Sequence, residues 1–332
     1  MRLAQVAREQ HDHVIEGVLH CTNAGCQREY PIVDGIPIIV ANIRQYVADN
    51  IAAINARRDQ GELVESMLGD CCGPDSALNQ TRQYLSSYAW DHYGDLDPAE
   101  AAGEPRPGSM LRTLRDGLEL AGAASTGPRL DIGCSVGRGT FALAEGNQEL
   151  VLGIDLNFAK LRLAAQVLRE GRVRYSRRRV GLVYDTRDFP VELAGRERVD
   201  FWACDAAALP FANAAFALAA SMNVLDCVAA PREFLASLGR VLGAGGKAIL
   251  ACPYDWSLVA TPVENWLGGH SQRSPAAGAS EAALRTLLTP GAVGAVEVLA
   301  WKAEREDLRW HVRLHDRSTM SYRLHLVVAE RV

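Results

Sequence analysis

The sequence predicts an α/β protein with a mostly parallel central sheet. From about residue 126 onward, short apolar runs alternate with segments whose apolar residues recur at helical spacing. Such alternation is typical of parallel strands joined by helices that cover both faces of a sheet. A glycine-rich loop, LDIGCSVGRGT (130–140), includes the end of the first apolar run, and later runs also end at aspartates. Because these sheets bind ligands at the carboxyl ends of their strands, the site is predicted at that edge.

Each element is predicted from a local pattern. Strands are predicted at the apolar runs PRLDIGC (128–134), LVLGID (150–155), VDFWACD (199–205), AFALAASMNVL (215–225) and KAILACPY (247–254). Helices are predicted between them at RGTFALAEG (138–146), NFAKLRLAAQVLREG (157–171) and PREFLASLGRVLGAGG (231–246). The last helix begins with Pro and ends with Gly, as helix termini prefer.

The chain divides into three regions. Residues 1–45 contain GVLHCTNAGCQREYPIVDGIPIIV, which predicts two short strands around a C-x4-C knuckle. Residues 46–125 predict a helical cap or linker, interrupted by the Pro- and Gly-containing segment GDLDPAEAAGEPRPGS. Residues 126–332 hold the predicted sheet and its helices.

The composition of this 332-residue chain excludes several classes of function. A net charge of -5 argues against a DNA-binding surface, which needs clustered positive charge. No run reaches the roughly 18 apolar residues of a membrane span, and the amino terminus lacks an apolar signal segment. The cysteines are scattered, which favours a reducing cytoplasm. One basic run, Arg177 to Arg179, is either a solvated loop or an anion or RNA contact.

The acidic residues around the glycine loop indicate the kind of cofactor. Asp131 precedes the glycines directly and would repel a pyrophosphate, so a cationic or amino-bearing cofactor fits better than a dinucleotide. Asp155, after the second strand, can accept hydrogen bonds from both hydroxyls of a ribose. Asp205, after the third strand, can accept one from an exocyclic amine. Alternatively, Asp155 and Asp205 are only helix N-caps, and the glycines only turn residues.

These motifs resemble those of the class I S-adenosylmethionine-dependent methyltransferases. The matching segments are LDIGCSVGRGT, GIDL, ACDAAALPF and RVLGAGGKAIL, which together cover roughly residues 126–255. The resemblance implies a Rossmann-like seven-stranded sheet and S-adenosylmethionine as cofactor. It implies that the cofactor-binding residues are Asp131, Gly133, Ser135, Gly137, Asp155, Leu156, Asp205, Ala206 and Asn223. Ser135 replaces the middle glycine of the usual D-x-G-x-G-x-G pattern.

A narrower resemblance concerns the methyl acceptor. NVLDCVAAPREFL, CPYDWSLVATPVENWLGG, SYAWDHYGD and the insert GRVRYSRRRVGLVYD are similar to segments of the mercaptohistidine N-methyltransferases of ovothiol biosynthesis. This implies methyl transfer to the imidazole of a small histidine-derived molecule. An imidazole nitrogen carries its own lone pair, so a strong general base is not obligatory.

Candidate acceptor-side residues come from the helical region and from the carboxyl-terminal segments. Asp226 and Tyr254 are predicted to orient the acceptor or take a proton. The predicted substrate-binding residues are Tyr88, His92, Tyr93, Trp256, Trp266 and Arg313. The aromatic side chains would stack on a ring or face a cation. Arg313 would share a strand face with His311, His315 and Arg317 and bind a carboxylate. Alternatively, the aromatics are packing residues and the basic face is solvated.

The amino-terminal knuckle resembles a small zinc-knuckle domain that accompanies several methyltransferases. A structural zinc site needs four ligands, and only Cys21 and Cys26 fit the pattern. His11, His13 or His20 could substitute for the missing cysteine pair, but no spacing requires it. The sequence therefore predicts a metal-free β-rich segment that packs on the core.

Four other functions stay open at this stage. An RNA methyltransferase is weakly favoured by the knuckle and by Arg177 to Arg179, and a quinone methyltransferase is the other enzymatic alternative. A methyltransferase-like protein that binds the cofactor without turnover is compatible with the same motifs. A dehydrogenase is the least expected.

Overall fold

The computed structural model describes residues 1–10, 12–57, 60–122 and 126–332. The first part is an antiparallel sheet of β1 (Arg2–Gln10), β2 (His13–His20), β3 (Glu29–Val33) and β4 (Ile36–Pro37), in that order. The sequence predicted strands only around the knuckle. It did not predict β1, whose residues are all exposed, because an exposed strand has no buried face to impose an apolar alternation.

The next part of the chain is helical. It contains α1 (Ile43–Ile54), α2 (Glu62–Cys72), α3 (Ala77–Tyr93) and α4 (Ser109–Ala121). Helix α3 is the element that reaches the predicted site, and α4 lies on the central sheet, where Leu114 is fully buried. The expected boundary at 125/126 adjoins residues 123–125, which lie outside the described residues.

Strands and helices alternate through the rest of the chain. In order they are β5 (Arg129–Ile132), α5 (Arg138–Ala144), β6 (Val151–Asp155), α6 (Phe158–Glu170), β7 (Arg172–Val180), β8 (Val183–Pro190), β9 (Val199–Ala203), β10 (Phe216–Met222), α7 (Pro231–Val241), β11 (Leu242–Cys252), α8 (Ser280–Leu287), β12 (Leu299–His315) and β13 (Ser318–Arg331). Helix α7 ends at Val241 rather than in the glycines, because residues 243–246 continue into β11.

The central sheet has seven strands in the order β12-β13-β11-β10-β5-β6-β9. Strands β11, β10, β5, β6 and β9 pair in parallel, whereas β13 is antiparallel to both of its neighbours. This confirms the predicted α/β fold with a mostly parallel seven-stranded sheet. The order reverses between β5 and β10, which is the point at which such sheets bind their ligands.

Two apolar cores cover the two faces of the sheet. One joins the sheet to α4, α5 and α6, with Phe141 and Leu161 at its centre. The other joins it to α7 and α8, with Phe234 and Leu284, and extends to the amino-terminal sheet through Ile32. The amide of Ile39 donates to the carbonyl of Ala203, which attaches the amino-terminal segment to the end of β9.

The run Arg177 to Arg179 is not a solvated loop. It lies in the antiparallel hairpin of β7 and β8. Nη1 of Arg177 lies 2.5 Å from Glu100 Oε2, and its Nη2 lies 3.3 Å from Asp316 Oδ1. Arg179 faces Asp316 and Asp185. The reason is topological, because a hairpin beside α3 and the β12–β13 turn brings distant acidic residues to these arginines.

None of the helices in the described ranges combines the length and the apolarity that crossing a bilayer requires.

Candidate functional site

The glycine loop runs from the end of β5 to the start of α5. Gly133 has a φ of +70°, and a Cβ there would lie 2.3 Å from Cγ2 of Val224, which follows β10. Gly137 has a φ of +93°, and a Cβ there would lie 2.7 Å from the ring of Phe201. Both conformations favour glycine, and both positions lack room for a side chain. The loop is therefore pressed against the point where the strand order reverses.

Asp131 is held inside the loop rather than exposed to solvent. It is 4% exposed, and its Oδ2 accepts a hydrogen bond of 2.8 Å from Oγ1 of Thr140 on α5. Burial raises the pKa of Asp131 to about 7, although the Thr140 hydrogen bond opposes the rise. A buried carboxyl with one donor is suited to a partner that brings a positive charge.

Asp155 and Asp205 are both fixed by backbone amides. Oδ2 of Asp155 accepts from the amide of Ser135 over 2.9 Å, and Oδ1 accepts from the amide of Asn157 over 2.7 Å. The N-cap of α6 is Asn157, so Asp155 does not cap that helix. Oδ1 of Asp205 accepts from the amide of Ala207 over 2.9 Å, as the cap of a short turn. Carboxylate oxygens have further lone pairs that can accept from a ligand.

Among the buried polar atoms of the loop region that have no hydrogen-bond partner in the described residues are Oγ of Ser135 and Oδ1 of Asn223. Both residues adopt positive φ, +53° and +57° respectively. Buried polar atoms are normally paired, and strained backbone persists where function requires it. These two atoms lie at the carboxyl ends of β5 and β10 and fit a polar ligand between those strands.

The remaining predicted cofactor residues flank the carboxylates. Leu156 is 44% exposed, and its carbonyl accepts a 2.9 Å hydrogen bond from the hydroxyl of Tyr46 on α1. Ala206 is buried directly after Asp205. The strand order, the loop and the unpaired atoms together fit a nucleoside-bearing cofactor laid across the ends of β5, β6, β9 and β10.

Helix α3 covers this edge of the sheet and is tied to the loop. The hydroxyl of Tyr93, which is fully buried, donates to the carbonyl of Val136 over 2.8 Å. Nδ1 of His92 accepts from the amide of Arg138 over 3.4 Å. Burial, followed by nearby Lys160 and Arg138, lowers the pKa of His92 to about 3, so the ring is neutral. Tyr93 therefore anchors α3, which forms a lid over this edge of the sheet, to the glycine loop.

Lys160 was missed by the sequence analysis. Its ammonium lies 3.6 Å from the ring centroid of Tyr88, a cation–π contact between α6 and α3. Burial works to lower the pKa of Lys160, but the neighbouring Tyr88 and Asp155 leave it raised. The sequence signal for Lys160 is its position in the first turn of α6. Helical side chains point toward the amino-terminal end of their helix, and this end of α6 lies next to the carboxyl end of β6.

A hydrogen-bonded set joins the residues that follow β10 and β11 to Tyr322 within β13. Oδ2 of Asp226 accepts from the amide of Asp255 over 2.7 Å, and Asp255 accepts from the hydroxyl of Tyr322 over 2.9 Å. Asp226 is 2% exposed, and burial raises its pKa. Burial and then Asp255 raise the pKa of Tyr322, and Tyr88 lies close enough to contribute. Asp255 and Tyr322 were not predicted.

Tyr254 lies on the other face of the same edge. Its hydroxyl is 2.7 Å from Nδ1 of His325 on β13, and Nε2 of that ring is 3.0 Å from Oε2 of Glu304 on β12. Burial raises the pKa of Tyr254 beyond its usual range. Tyr254 is predicted from the sequence but neither of its partners is, because their position depends on the pairing of His325 with Cys252.

The two tryptophans stack on each other. The rings of Trp256 and Trp266 are 6.0 Å apart at 17°, and Trp256 stacks in turn on Tyr254 at 6.5 Å. Their indole N–H groups donate to Ser280 and to the carbonyl of Thr261. This row anchors the segment after β11 to α8, and contact with a substrate stays a prediction.

Arg313 belongs to the arginine network of the β7–β8 hairpin. It is buried, and its guanidinium donates to the carbonyl of Arg178 and pairs with Asp316. Its Nη1 has no partner among the described residues. Arg317 lies in the turn after β12, so the predicted alternating basic face is interrupted there. Substrate binding by Arg313 stays a prediction.

The knuckle brings its two cysteines together. The Cys26 thiol has a lowered pKa because of a backbone hydrogen bond at Arg28 and its proximity to Cys21. Within the described ranges, no cluster of three ligand side chains includes either cysteine. His11 lies outside the described residues. A cluster of Glu304, Glu306 and His325 is present, but both ring nitrogens of His325 are already hydrogen-bonded.

Comparison with known proteins agrees with this geometry. Residues 130–250 match the family model described as a methyltransferase domain. No curated protein matches the chain significantly.

Several solved structures are similar in fold. A SAM-dependent methyltransferase of Methanosarcina mazei is 20% identical over 66% of this chain and 96% of its own, with a TM-score of 0.41. The Haemonchus contortus phosphoethanolamine N-methyltransferase 2 complex with S-adenosylhomocysteine is 19% identical over 52% of this chain and 36% of its own, with a TM-score of 0.35. The [4+2]-cyclase SpnF is 15% identical over 76% and 94%, with a TM-score of 0.47.

The family match covers the glycine loop, both fixed carboxylates and Asn223, the segment in which the structure places the site. The order of the seven strands, in which β13 is the antiparallel one, agrees with the family match. Residues 130–250 thus form an S-adenosylmethionine-dependent methyltransferase domain, the enzymatic part of this chain.

Proposed function

We propose that this methyltransferase acts on a small molecule and methylates a ring nitrogen of an imidazole or of another histidine-derived acceptor. The observation that carries the proposal is the set of Asp226, Asp255 and Tyr322 at the edge of the sheet, beside Tyr88 of the lid. Phenols and carboxylates at hydrogen-bonding distance from one another suit a planar ring with an N–H group.

The cofactor binds across the carboxyl ends of the strands in this proposal. Asp155 accepts from the ribose hydroxyls, and Asp205 with Ala206 faces the adenine. The unpaired atoms of Ser135 and Asn223 hydrogen-bond the amino-acid part, whose ammonium lies near Asp131. Bound there, S-adenosylmethionine supplies a methyl group already activated by its sulfonium.

The protein then has mainly to align the acceptor. An imidazole nitrogen has a lone pair, and correct orientation of two reactants can contribute on the order of 7 to 11 kcal/mol. Tyr88 packs against the acceptor ring, with the neutral His92 behind it, and Tyr322 hydrogen-bonds its edge. Asp226 holds the chain after β11 in place through the amide of Asp255.

The alternatives receive less support. An RNA substrate needs free basic side chains, but Arg177 and Arg179 are paired with Glu100, Asp185 and Asp316. Nothing in the described site favours a quinone over an imidazole. A protein that only binds the cofactor would not need the acidic and phenolic set on the acceptor side.

The first test is calorimetric titration with S-adenosylhomocysteine. We expect micromolar binding by the wild type and at least about a tenfold loss in Asp155→Ala, because each lost charge-assisted hydrogen bond costs about 1.5–3 kcal/mol. Asp188→Ala, at an exposed ion pair with Arg172, is the matched control and should bind normally. Unchanged binding in Asp155→Ala would refute the proposed cofactor geometry.

The acceptor is tested with radiolabelled S-adenosylmethionine. Histidine, histamine, imidazole and 4-mercaptohistidine are offered as acceptors, with catechols, quinols and short RNA as the competing classes. We expect label in the imidazoles only, on a ring nitrogen by mass spectrometry. Label in RNA or a quinol, or cofactor binding with no transfer to any imidazole, would refute the proposal.

A further inference from the structure

One cation beside the lid has no carboxylate partner in the protein. Lys160 lies in the first turn of α6, and its ammonium is 3.6 Å from the ring centroid of Tyr88 on α3. Among the described residues, Lys160 makes no ion pair with a carboxylate. The residue is partly buried. An ammonium withdrawn from water is normally paired with an anion, because a neutral aromatic ring restores only part of the lost solvation.

The carboxylate nearest in the fold, that of Asp155, is already occupied. Its two oxygens accept from the amides of Ser135 and Asn157. Burial opposes the charge on Lys160, but Tyr88 and Asp155 lie close enough to keep the pKa of Lys160 raised. Lys160 therefore stays an ammonium, and its N–H groups have donor capacity left for a ligand.

Lys160 lies on the same face of the central sheet as the proposed acceptor position. Helices α3 and α6 pack on that face, and Tyr322 of β13 packs against the same apolar core. Tyr88 is within electrostatic reach of both Lys160 and Tyr322, so it links the α6 side of the cleft to the β13 side. Because Tyr88 is 36% exposed, a small molecule can reach the ammonium from solvent.

The charges around this position are divided between two sides. Asp226 and Asp255 follow β10 and β11, whereas Lys160 comes from α6. The thiol of Cys227 lies within reach of both sides: burial and then Asp226 raise its pKa, and Lys160 opposes the rise. A carboxylate in the cleft would be repelled by the two aspartates and attracted by the ammonium.

The other cation near the lid is already paired. The charges of Arg138 and Lys160 both reach the ring of His92. Arg138, however, forms an ion pair of 3.6 Å with Asp95. The ammonium of Lys160 is therefore the better placed of the two to receive an anionic ligand.

We propose that Lys160 binds a carboxylate of the methyl acceptor, so that the substrate is an imidazole-bearing amino acid or related acid rather than a simple imidazole or amine. The inference rests on the function proposed above and names the substrate class of the same site. The ammonium donates to the carboxylate, Tyr88 holds the ammonium in place, and the acceptor ring points toward Tyr322. The uneven charge thus fixes which end of the acceptor faces the strand ends.

The cofactor carries a carboxylate as well, and this is the other source of such an anion. The amino-acid part of the cofactor is proposed to lie beside Asp131, Ser135 and Asn223, whereas Lys160 is close to Asp155, where the ribose is proposed to bind. The two sources predict different results. Only a cofactor carboxylate would make the affinity for S-adenosylhomocysteine depend on Lys160.

Paired acceptors test the inference. Histidine and histamine, and their 4-mercapto derivatives, differ only in the carboxylate. In the wild type, kcat/KM should be about 10- to 100-fold higher for the acid, the effect of one charge-assisted hydrogen bond. Lys160→Met should bring this ratio close to one, and Lys160→Arg should keep most of it. Lys302→Met, on β12 and paired with Glu330, is the control and should keep the wild-type ratio.

A second readout does not depend on turnover. Calorimetric titration of histidine into the complex with S-adenosylhomocysteine should show at least about a tenfold loss of affinity in Lys160→Met. Titration of S-adenosylhomocysteine itself should give the same affinity in Lys160→Met and in the wild type. A loss there would assign Lys160 to the cofactor carboxylate and overturn the inference.

The kinetic outcomes separate this inference from the proposed function. Equal kcat/KM for histidine and histamine in the wild type, or an undiminished ratio in Lys160→Met, overturns the carboxylate site alone. No transfer to any imidazole by the wild type overturns the proposed function and the inference with it.

Discussion

The hydroxyl of Thr140, one turn into α5, donates to Oδ2 of Asp131 at the end of β5 over 2.8 Å. This hydroxyl is the side-chain donor to the carboxyl of Asp131. Burial raises the pKa of that carboxyl to about 7. Folding of the cofactor-free protein therefore works against ionisation of Asp131, whereas a bound ammonium would favour it.

The affinity for S-adenosylhomocysteine should depend on pH through Asp131. If the complex requires the carboxylate, affinity rises about tenfold per pH unit below pH 7 and then levels off. Asp131→Asn should abolish this dependence. Thr140→Val should extend the rise to higher pH, because loss of the hydrogen bond raises the pKa of Asp131 further. A pH-independent affinity in the wild type would contradict the prediction, and calorimetric titrations from pH 5 to 9 provide the measurement.

Asp131 should also affect stability with a defined sign. Its folded pKa is raised above the ordinary value near 4, so between about pH 4 and 7 the folded chain retains a proton that the unfolded chain has lost. Its contribution to the free energy of unfolding therefore falls as pH rises through that window. Urea unfolding should show a smaller fall in Asp131→Asn than in the wild type.

Gly133→Ala should lower the free energy of unfolding by more than the backbone conformation of Gly133 alone explains. The left-handed conformation costs about 1–2 kcal/mol for any residue with a Cβ, and the contact with Val224 adds about 1–3 kcal/mol. Gly146→Ala is the control, since Gly146 has a φ of +68° with nothing within 4 Å of a Cβ. The double variant Gly133→Ala, Val224→Ala should recover part of the loss. Equal unfolding free energies for the two single variants would show that the Val224 contact does not matter.

Asp91 should be a stability determinant of the lid. It is 3% exposed on α3, and its carboxylate accepts from the amides of Ser109 and Met110 at the start of α4. Asp91→Ala leaves both buried amides without an acceptor and should lower the free energy of unfolding by about 2–4 kcal/mol. Asp91→Asn keeps one acceptor and should cost less than half as much. Chemical denaturation distinguishes the two, and similar losses would argue against the capping role.

Arg177 should stabilise the β7–β8 hairpin more than its neighbour Arg172. Arg177 and Glu100 are each 15% exposed, and removal of one partner of such a pair costs about 3–5 kcal/mol when fully buried. Arg177→Met should approach the lower end of that range. Arg172→Met, at a pair about half exposed, should stay within about 1 kcal/mol. Equal effects would mean that burial of the pair is energetically irrelevant.

Most of the sheet could be predicted from the sequence, because each parallel strand is a continuous apolar run that ends in a polar residue. The positions of Asp131, Asp155 and Asp205 at one edge followed from this. The contact of Tyr254 with His325 could not be predicted in the same way. Alternation along SYRLHL indicates two faces, but only the register of β13 on β11 brings His325 beside Cys252.

The lid contacts were beyond the sequence for a similar reason. Helical spacing identifies which residues of α3 share a face, but not which helix that face meets. The cation–π contact of Tyr88 with Lys160 depends on how α3 crosses α6, and the pairing of Arg177 depends on a hairpin whose strands carry few apolar residues. Local patterns hold little information about partners distant in the chain.

The place of β13 has a consequence for how the molecule assembles. β13 follows β12 in the chain yet lies between β11 and β12, so β12 has no neighbour until residues 318–331 are in position. We therefore expect the sheet beyond β11 to be added in a single late step, as a preformed hairpin docking on β11. The hairpin carries Glu304, Tyr322 and His325. An incompletely assembled chain would therefore have the cofactor-binding ends of the parallel strands but would lack these three side chains.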